Sequence, residues 1–150
     1  MLLDLENLAG TGLLDGASPL SLVHQVTVLN PIGAHDIVIV GGDRRNAFPL
    51  DDIAKQLGGS TVWGTGPDGA EIALEEAFNA IPPSAWNNEH APVTRVVIGS
   101  GDHYFVRVAE LAHELGRQVL TISRWKGLSH ELAKSSDVCL TFSEPETMVA

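Results

Sequence analysis

Acidic residues stand beside apolar runs at three separated points of this chain. Asp4 follows the opening run MLL, Asp102 follows VVIGSG, and Asp68 and Glu71 lie in the segment PDGAE. Carboxylates that are held close together raise one another's pKa or bind a cation. A set of oxygen ligands favours Mg²⁺ or Mn²⁺ over zinc. The pattern therefore predicts a Mg²⁺ or Mn²⁺ site, provided that the fold brings these acids together.

Each acid also has a purely structural interpretation. Asp102 suits the N-cap of a helix, and Asp68 with Glu71 suits a capping box, in which Glu71 reaches back to the cap backbone. Asp4 is harder to explain in this way, because an acid inside an apolar strand is unfavourable unless it is paired or bound to metal. Both interpretations stay open for Asp102 and Glu71, whereas Asp4 favours a functional role.

Basic side chains are concentrated near the same acids. Four of the nine lysines and arginines follow predicted strands: Arg44, Arg45, Arg124 and Lys126. An acidic centre with a basic rim fits a phosphodiester, with a cation on one phosphate and arginines on its neighbours. Trp63 and Trp125 flank this edge and would either stack on bases or pack within the fold. The net charge of −10 argues against broad, non-specific binding of nucleic acid.

Apolar runs alternate with helical periodicities along the chain. The runs predict strands over 1–5, 35–43, 60–66, 94–98, 117–123 and 137–142. Helices are predicted over 18–29, 49–59, 67–83, 103–116 and 127–136. The stretch 83–93 is predicted as a surface loop, and Glu75 and Glu76 as a solvated helix face. Uninterrupted apolar strands alternating with helices are typical of a parallel sheet covered on both faces, so we expect a three-layer α/β/α sandwich. Ligands of such sheets bind at the carboxyl ends of the strands, where the acids follow.

Length and composition fit one domain over residues 1–142, followed by a polar tail over 143–150. The single cysteine, Cys139, leaves no partner for an internal disulfide. No apolar stretch approaches the roughly 20 residues of a membrane span, and the opening MLLDLENL lacks the basic region of a signal peptide. We therefore expect a cytoplasmic protein that makes no contact with a membrane.

Three segments resemble a known nuclease family when they are taken in order. MLLDLENL carries Asp4 at the end of a predicted strand and Asn7 three residues on, and PDGAEIALEEAF begins a helix with an acid. VIGSGDHYFVRVAELAHELGRQVLTIS contains a Ser-Gly-Asp triplet, then a predicted helix, a glycine and a strand. Over about residues 1–125 this order resembles the NYN domain, a branch of the PIN-like nuclease superfamily.

The resemblance implies a PIN-like fold with the parallel sheet ordered 3-2-1-4-5. It implies a metal-dependent endoribonuclease that hydrolyses RNA phosphodiester bonds, with Asp4, Glu71 and Asp102 as catalytic residues around Mg²⁺ or Mn²⁺. Asp68 is the alternative to Glu71 as the middle acid. The carboxylates would hold the ion, which lowers the pKa of a bound water for attack on phosphorus.

The resemblance also implies RNA, single-stranded or structured, as the partner. For the oligomeric state, both a monomer and a homodimer stay open. Asn7 and Ser100 would orient ligands or phosphate by hydrogen bonds. The remaining substrate-binding residues that we expect are the basic ones: Arg44, Arg45, Arg124 and Lys126.

One position departs from the family pattern. The third segment of the family usually carries a second acid two residues after the first, and this chain has Tyr104 there. Either Glu6, Asp43 or Asp68 compensates for this acid, or the metal binds more weakly. The alternative function is therefore a catalytically degenerate RNA-binding or protein-assembly module. A phosphoacceptor domain is a third hypothesis, in which Lys126 would be the required lysine.

Overall fold

The computed structural model of the protein describes residues 1–12, residue 14 and residues 18–143. In these ranges six strands form one sheet, and every neighbouring pair is parallel. The strands are β1 (Leu2–Asp4), β2 (Ile39–Asp43), β3 (Ser60–Gly64), β4 (Arg95–Gly99), β5 (Gln118–Arg124) and β6 (Val138–Phe142). The predicted tail over 143–150 lies outside the described residues, apart from Ser143.

The spatial order of the strands is β3-β2-β1-β4-β5-β6. This order differs from the predicted 3-2-1-4-5, because β6 pairs with the outer side of β5 and extends that edge. The shortest strand, β1, lies at the centre, where Leu2 pairs with Ile39 on one side and with Ile98 on the other. The carboxyl end of β1, at Asp4, therefore opens in the middle of the sheet edge.

Helices cover both faces of the sheet, which agrees with the predicted α/β/α arrangement. The described helices are α1 (Leu5–Ala9), α2 (Ser18–Leu29), α3 (Ala47–Leu57), α4 (Gly69–Asn79), α5 (Pro83–Trp86), α6 (Val106–Glu114) and α7 (His130–Ser135). One core lies between the sheet and α1, α2 and α3, and the other between the sheet and α4, α5, α6 and α7. Because side chains alternate along a strand, Leu3 joins the first core and Leu2 the second.

Two helices occupy stretches where none was predicted. The predicted strand over 1–5 ends at Asp4, and Leu5 begins α1. Local polar contacts produce this helix: Asp4 accepts the N–H of Asn7, and Gly10, in the left-handed conformation, closes the last turn. The predicted loop over 83–93 contains α5, whose Trp86 is buried edge-to-face against Phe78 at a centroid distance of 5.4 Å.

Short 3-10 turns follow three of the strands. They are Arg44–Asn46 after β2, His103–Phe105 after β4 and Trp125–Gly127 after β5. The helix predicted to start at 103 therefore begins as a 3-10 turn, and α6 proper starts at Val106. No helix in the described part of the chain is long and apolar enough to cross a membrane.

Candidate functional site

A cleft of about 400 Å³ lies at the carboxyl ends of the central strands. Its lining combines acids with one guanidinium and the backbone of the α1–α2 connection. Among the described residues, the charged side chains that line it are Asp4, Glu6, Asp43, Asp68, Glu71 and Arg124. The predicted acids Asp4 and Glu71 therefore meet in one place, as the sheet geometry required.

Asp4 is the most buried member of this cleft, with 2% of the residue exposed. Its Oδ1 accepts the N–H of Asn7 at 3.4 Å and its Oδ2 accepts the hydroxyl of Ser100 at 3.2 Å. Burial raises the pKa of Asp4 to about 7, with smaller contributions from the charges of Glu71 and Glu6. These two hydrogen bonds oppose the rise in pKa without cancelling it. The carboxyl group of Asp4 is therefore partly protonated near neutral pH.

Ser100 and Asn7 connect β1 to the loop after β4. Ser100 is fully buried, and its Oγ also accepts the N–H of Asp102 at 3.2 Å. The Oδ1 of Asn7 accepts the N–H of Gly101 at 2.8 Å. Both residues therefore fix the path of the Ser-Gly-Asp triplet relative to Asp4. They were predicted to orient ligands, and in this structure they orient the backbone and the carboxylate that would meet a ligand.

Glu71 lies in the first turn of α4 and faces the cleft. Burial raises the pKa of Glu71, and the charges of Asp102 and Asp68 add to this rise. Asp68 is the N-cap residue of α4 and has a positive φ of 56°. Its side chain makes no capping hydrogen bond, so the capping-box interpretation is wrong for Asp68. Both acids line the cleft, which leaves Asp68 and Glu71 as candidates for the middle acid.

The N-cap interpretation of Asp102 is confirmed, whereas its role as a metal ligand stays a prediction. Its Oδ1 accepts the N–H of Tyr104 at 2.9 Å and so caps the 3-10 turn that precedes α6. His103 Nδ1 lies 3.3 Å from the same oxygen. The charge of Asp102 nevertheless reaches the cleft, because it raises the pKa of Glu71. Asp102 therefore stands at the border of the acidic cluster, outside the residues that line the cleft itself.

Glu6, on α1, lines the cleft and accepts a hydrogen bond from the end of β2. Both of its carboxylate oxygens accept the N–H of Asp43, at 2.9 and 2.8 Å. A Cβ on Gly42 would collide with Glu6 Oε2, so the glycine after the apolar part of β2 leaves room for this carboxylate. Burial raises the pKa of Glu6, and the Asp43 N–H opposes that rise. Glu6 thus ties α1 to the end of β2.

The predicted basic residues do not form a single group. Arg124 lines the cleft, and its Nε donates to the carbonyl of Asn7 at 2.9 Å. Arg44 and Arg45 line a shallow depression beside the cleft, where Arg45 Nε pairs with Asp43 Oδ1 at 3.0 Å. The backbone N–H of Arg45, which donates to the same oxygen at 2.8 Å, and then this side-chain pairing lower the pKa of Asp43. Lys126 is exposed in the turn after β5 and lies outside the cleft lining.

Arg124 also explains a glycine at the cleft wall. Gly10 has a φ of 74°, and a Cβ there would lie 2.8 Å from Arg124 Nη1. The guanidinium therefore rests on the backbone of Gly10. The positive φ favours glycine at this position, and any side chain there would also displace the Arg124 guanidinium.

Tyr104, at the position where the resemblance to the NYN domain fails, lies beside an ion pair between the buried Glu75 and the exposed Arg107. Glu75 is 8% exposed, and its Oε1 meets Arg107 Nη2 at 3.0 Å. The Arg107 guanidinium lies 5.7 Å from the centre of the Tyr104 ring. Burial together with the Glu75 carboxylate raises the pKa of Tyr104 to about 12. The prediction of a solvated Glu75 is wrong, because Arg107 from α6 covers it.

The tryptophans differ in exposure. Trp125 is 71% exposed in the turn between Arg124 and Lys126, and Trp63 on β3 is also exposed. Packing within the fold therefore does not account for Trp125. Trp86, to which no role was assigned from the sequence, is the tryptophan that the second core buries.

Asn46 supports the wall of the cleft without lining it, and sequence reasoning missed this role. It is buried, its Nδ2 donates to the carbonyl of Gly12 at 3.0 Å, and its Oδ1 accepts the N–H of Leu14 at 3.0 Å. These bonds hold the cleft wall that contains Gly12. The available signal was its position directly after Asp43, Arg44 and Arg45, in the loop where the basic residues were already selected.

The donors of the cleft suit a hard cation in their chemistry. Carboxylate oxygens of Asp4, Glu71 and Asp102 stand among like charges, and burial makes the ionised form of Asp4 unfavourable without a counter-charge. Within the described ranges, no group of three or more His, Cys, Asp or Glu side chains is already arranged to hold a metal ion.

Comparison with known proteins finds no matching family model, no matching curated protein and no matching solved structure.

Proposed function

We propose that this protein is a metal-dependent endoribonuclease that hydrolyses RNA phosphodiester bonds at the cleft beside Asp4. The observation that carries the proposal is the burial of Asp4 at the centre of a sheet edge, among further carboxylates, with its pKa raised to about 7. Such crowding of like charge is unfavourable for the folded chain alone and is typical of a functional site. The order of the three segments that resemble the NYN domain supports the same activity.

The side chains of the cleft have separate roles in this reaction. Asp4, Glu71 and Asp102 would hold Mg²⁺ or Mn²⁺, which when bound supplies a water of lowered pKa and a counter-charge for the phosphate. Ser100 and Asn7 keep Asp4 and the Gly101–Asp102 backbone in register through their hydrogen bonds. Asp68 is the alternative to Glu71 as the middle acid.

The basic residues would contact the RNA backbone. Arg124 faces the cleft, so it would approach the phosphate next to the reacting one, while Arg44, Arg45 and Lys126 would contact phosphates farther out. The exposed indole of Trp125 lies between two of these residues and offers a surface for an unpaired base.

The test is cleavage of end-labelled RNA, single-stranded and hairpin, by the purified protein with Mg²⁺, Mn²⁺ or EDTA. We expect Asp4→Asn and Asp102→Asn to reduce the rate by about 10²–10³, the scale for losing one preorganised electrostatic group. Asp52→Asn, at an exposed position of α3, is the matched control and should cleave like the wild type. Absence of cleavage with both cations, or equal rates in all variants, would contradict the proposal.

A catalytically degenerate RNA-binding or assembly module is the second candidate. Tyr104 favours it, because the position of the usual second acid holds an aromatic ring beside Arg107 and Glu75. Fluorescence anisotropy with labelled RNA in EDTA separates the two candidates. Binding that ignores EDTA, without cleavage in Mn²⁺, supports the module, and turnover that depends on Mn²⁺ excludes it.

A further inference from the structure

An ion pair between the buried Glu75 carboxylate and the exposed Arg107 guanidinium connects α4 to α6. Glu75 lies one turn after Glu71 on the same face of α4. Its Oε1 pairs with Arg107 Nη2 at 3.0 Å, and its Oε2 is buried without a hydrogen-bond partner among the residues described. A buried carboxylate oxygen without a hydrogen-bond partner is unfavourable for stability. The Glu75 carboxylate also faces Tyr104, because it contributes to the raised pKa of that side chain.

The other end of the ion pair reaches the loop that carries Asp102. Arg107 lies in the first turn of α6, and its guanidinium covers the ring of Tyr104 at 5.7 Å. Tyr104 belongs to the 3-10 turn that Asp102 caps, and its ring packs edge-to-face on the buried Phe105 at 5.9 Å. Arg107 thus contacts α4 and the Asp102 turn at the same time.

We propose that Glu75 and Arg107 form a brace, an ion pair between α4 and α6 whose guanidinium also contacts the Tyr104 ring. This brace sets the position of Glu71 relative to Asp102. The inference rests on the proposed function, because it assigns these two residues as positioning residues for the cation of that site. Glu71 and Asp102 come from separate elements and repel each other while both are ionised. The second core already packs α4 against the turn through Leu74, Phe78 and Phe105, and the brace adds a charged contact that opposes this repulsion. Position 104 thus contributes a contact between α4 and the Asp102 turn, where the NYN pattern has a second acid.

The sign of one substitution separates the brace from a simple charge effect. Arg107→Ala removes a positive charge near an acidic cluster, so electrostatics alone predicts tighter binding of a divalent cation. The brace predicts the opposite, because the two carboxylates lose their fixed separation. Residues that orient metal ligands change metal affinity by about 10–100-fold when they are replaced. We therefore expect Mn²⁺ to bind about 10-fold more weakly to Arg107→Ala.

The experiment measures Mn²⁺ binding by electron paramagnetic resonance of the free ion, without RNA, for the wild type and four variants. These are Arg107→Ala, Glu75→Gln, the double variant and Arg107→Lys. Two partners of one brace give non-additive effects, so the double variant should lose no more affinity than either single variant. Arg107→Lys keeps the charge pair and should recover most of the affinity. Arg107→Gln, which removes the same positive charge and keeps a polar side chain, serves if Arg107→Ala does not fold.

Lys55→Ala is the matched control, because it removes a positive charge from an exposed position of α3 on the other face of the sheet. Unchanged or tighter Mn²⁺ binding in Arg107→Ala and Glu75→Gln, or additive losses in the double variant, overturns the brace. RNA cleavage by the wild type in the same buffer reports on the proposed function separately. If the wild type binds Mn²⁺ but cleaves no RNA, the proposed function fails and the brace is decided by the binding data. If the wild type binds no Mn²⁺, both fail.

Discussion

The two edges of the sheet carry opposite kinds of surface. At the amino edge, a cavity of about 260 Å³ is lined by Phe78, Ile81 and Trp86, and Arg95 pairs there with Asn30 at 2.8 Å. Burial lowers the pKa of the Met1 ammonium in this lining to about 6, so one buried charge is unfavourable here too. At the carboxyl edge, several carboxylates gather around Asp4, and burial and mutual repulsion raise its pKa to about 7. Crowding of like charges in a cleft is typical of a functional site, and only the carboxyl edge of the two shows it.

The largest effect that we expect comes from the amino edge. Trp86 is 6% exposed and packs on Phe78, with the Arg117 guanidinium 5.8 Å from its ring centre. Trp86→Ala should lower the free energy of unfolding by about 3–5 kcal/mol, because it leaves a cavity in the second core. Urea unfolding measures this loss. At a temperature where Trp86→Ala is folded, this variant should cleave RNA at the wild-type rate. Loss of cleavage in the folded variant would show that the amino edge also contributes to activity.

The next effect is a pH dependence that originates at the carboxyl edge. The pKa of Asp4 is 3.8 as an ordinary aspartate and about 7 in the folded protein, so the folded state holds this proton more tightly. The contribution of Asp4 to stability is therefore greatest below pH 4, declines as the pH rises to about 7, and is constant above it. The decline amounts to roughly 4 kcal/mol.

Urea unfolding between pH 4 and pH 8 checks this dependence by comparing the wild type with Asp4→Asn. The difference between the two profiles isolates Asp4, since Glu6 and Glu71, whose pKa values are raised in the same direction, remain in both proteins. Asp4→Asn should be the more stable protein at pH 8. Parallel profiles would show that the carboxyl edge does not lower the stability of the fold.

The smallest effect concerns the exposed tryptophan. Trp125→Ala should weaken RNA binding by about 1–3 kcal/mol, the range for losing one base-stacking surface, with an unchanged melting temperature. Fluorescence anisotropy and thermal unfolding measure the two quantities. Leu115→Ala, at an exposed apolar position at the end of α6, is the control and should alter neither. A lower melting temperature in Trp125→Ala with unchanged binding would assign this indole to packing.

The alternation of strands and helices could be predicted because it depends on local apolar patterns. The α1 helix could not, because its five residues carry the apolar pattern of a strand and depend on the cap at Asp4 and the turn at Gly10. The sixth strand was predicted along the chain, but its place beside β5 depends on contacts distant in sequence. The order of the sheet therefore came from the resemblance, and the order observed extends beyond it.

The acids of the site could be predicted because they follow strands that end at one edge. Glu75 could not be placed, because its burial depends on Arg107 from a helix that folds across it. Lys126 and Arg45 were selected by position, yet neither lines the cleft, because a turn directs one outward and Asp43 pairs with the other. The charge of a loop residue can be predicted from the sequence, whereas the side-chain orientation depends on neighbouring residues in the fold.

Two glycines with almost the same backbone conformation have different evolutionary prospects. Gly116, with a φ of 72°, has open space within 4 Å of where a Cβ would lie, so asparagine could replace it over many generations at little cost. Gly10, with a φ of 74°, lies under the Arg124 guanidinium. A side chain at position 10 would displace that guanidinium from the lining of the cleft. The two sites would therefore record selection differently: one follows the backbone alone, and the other also follows the shape of the cleft.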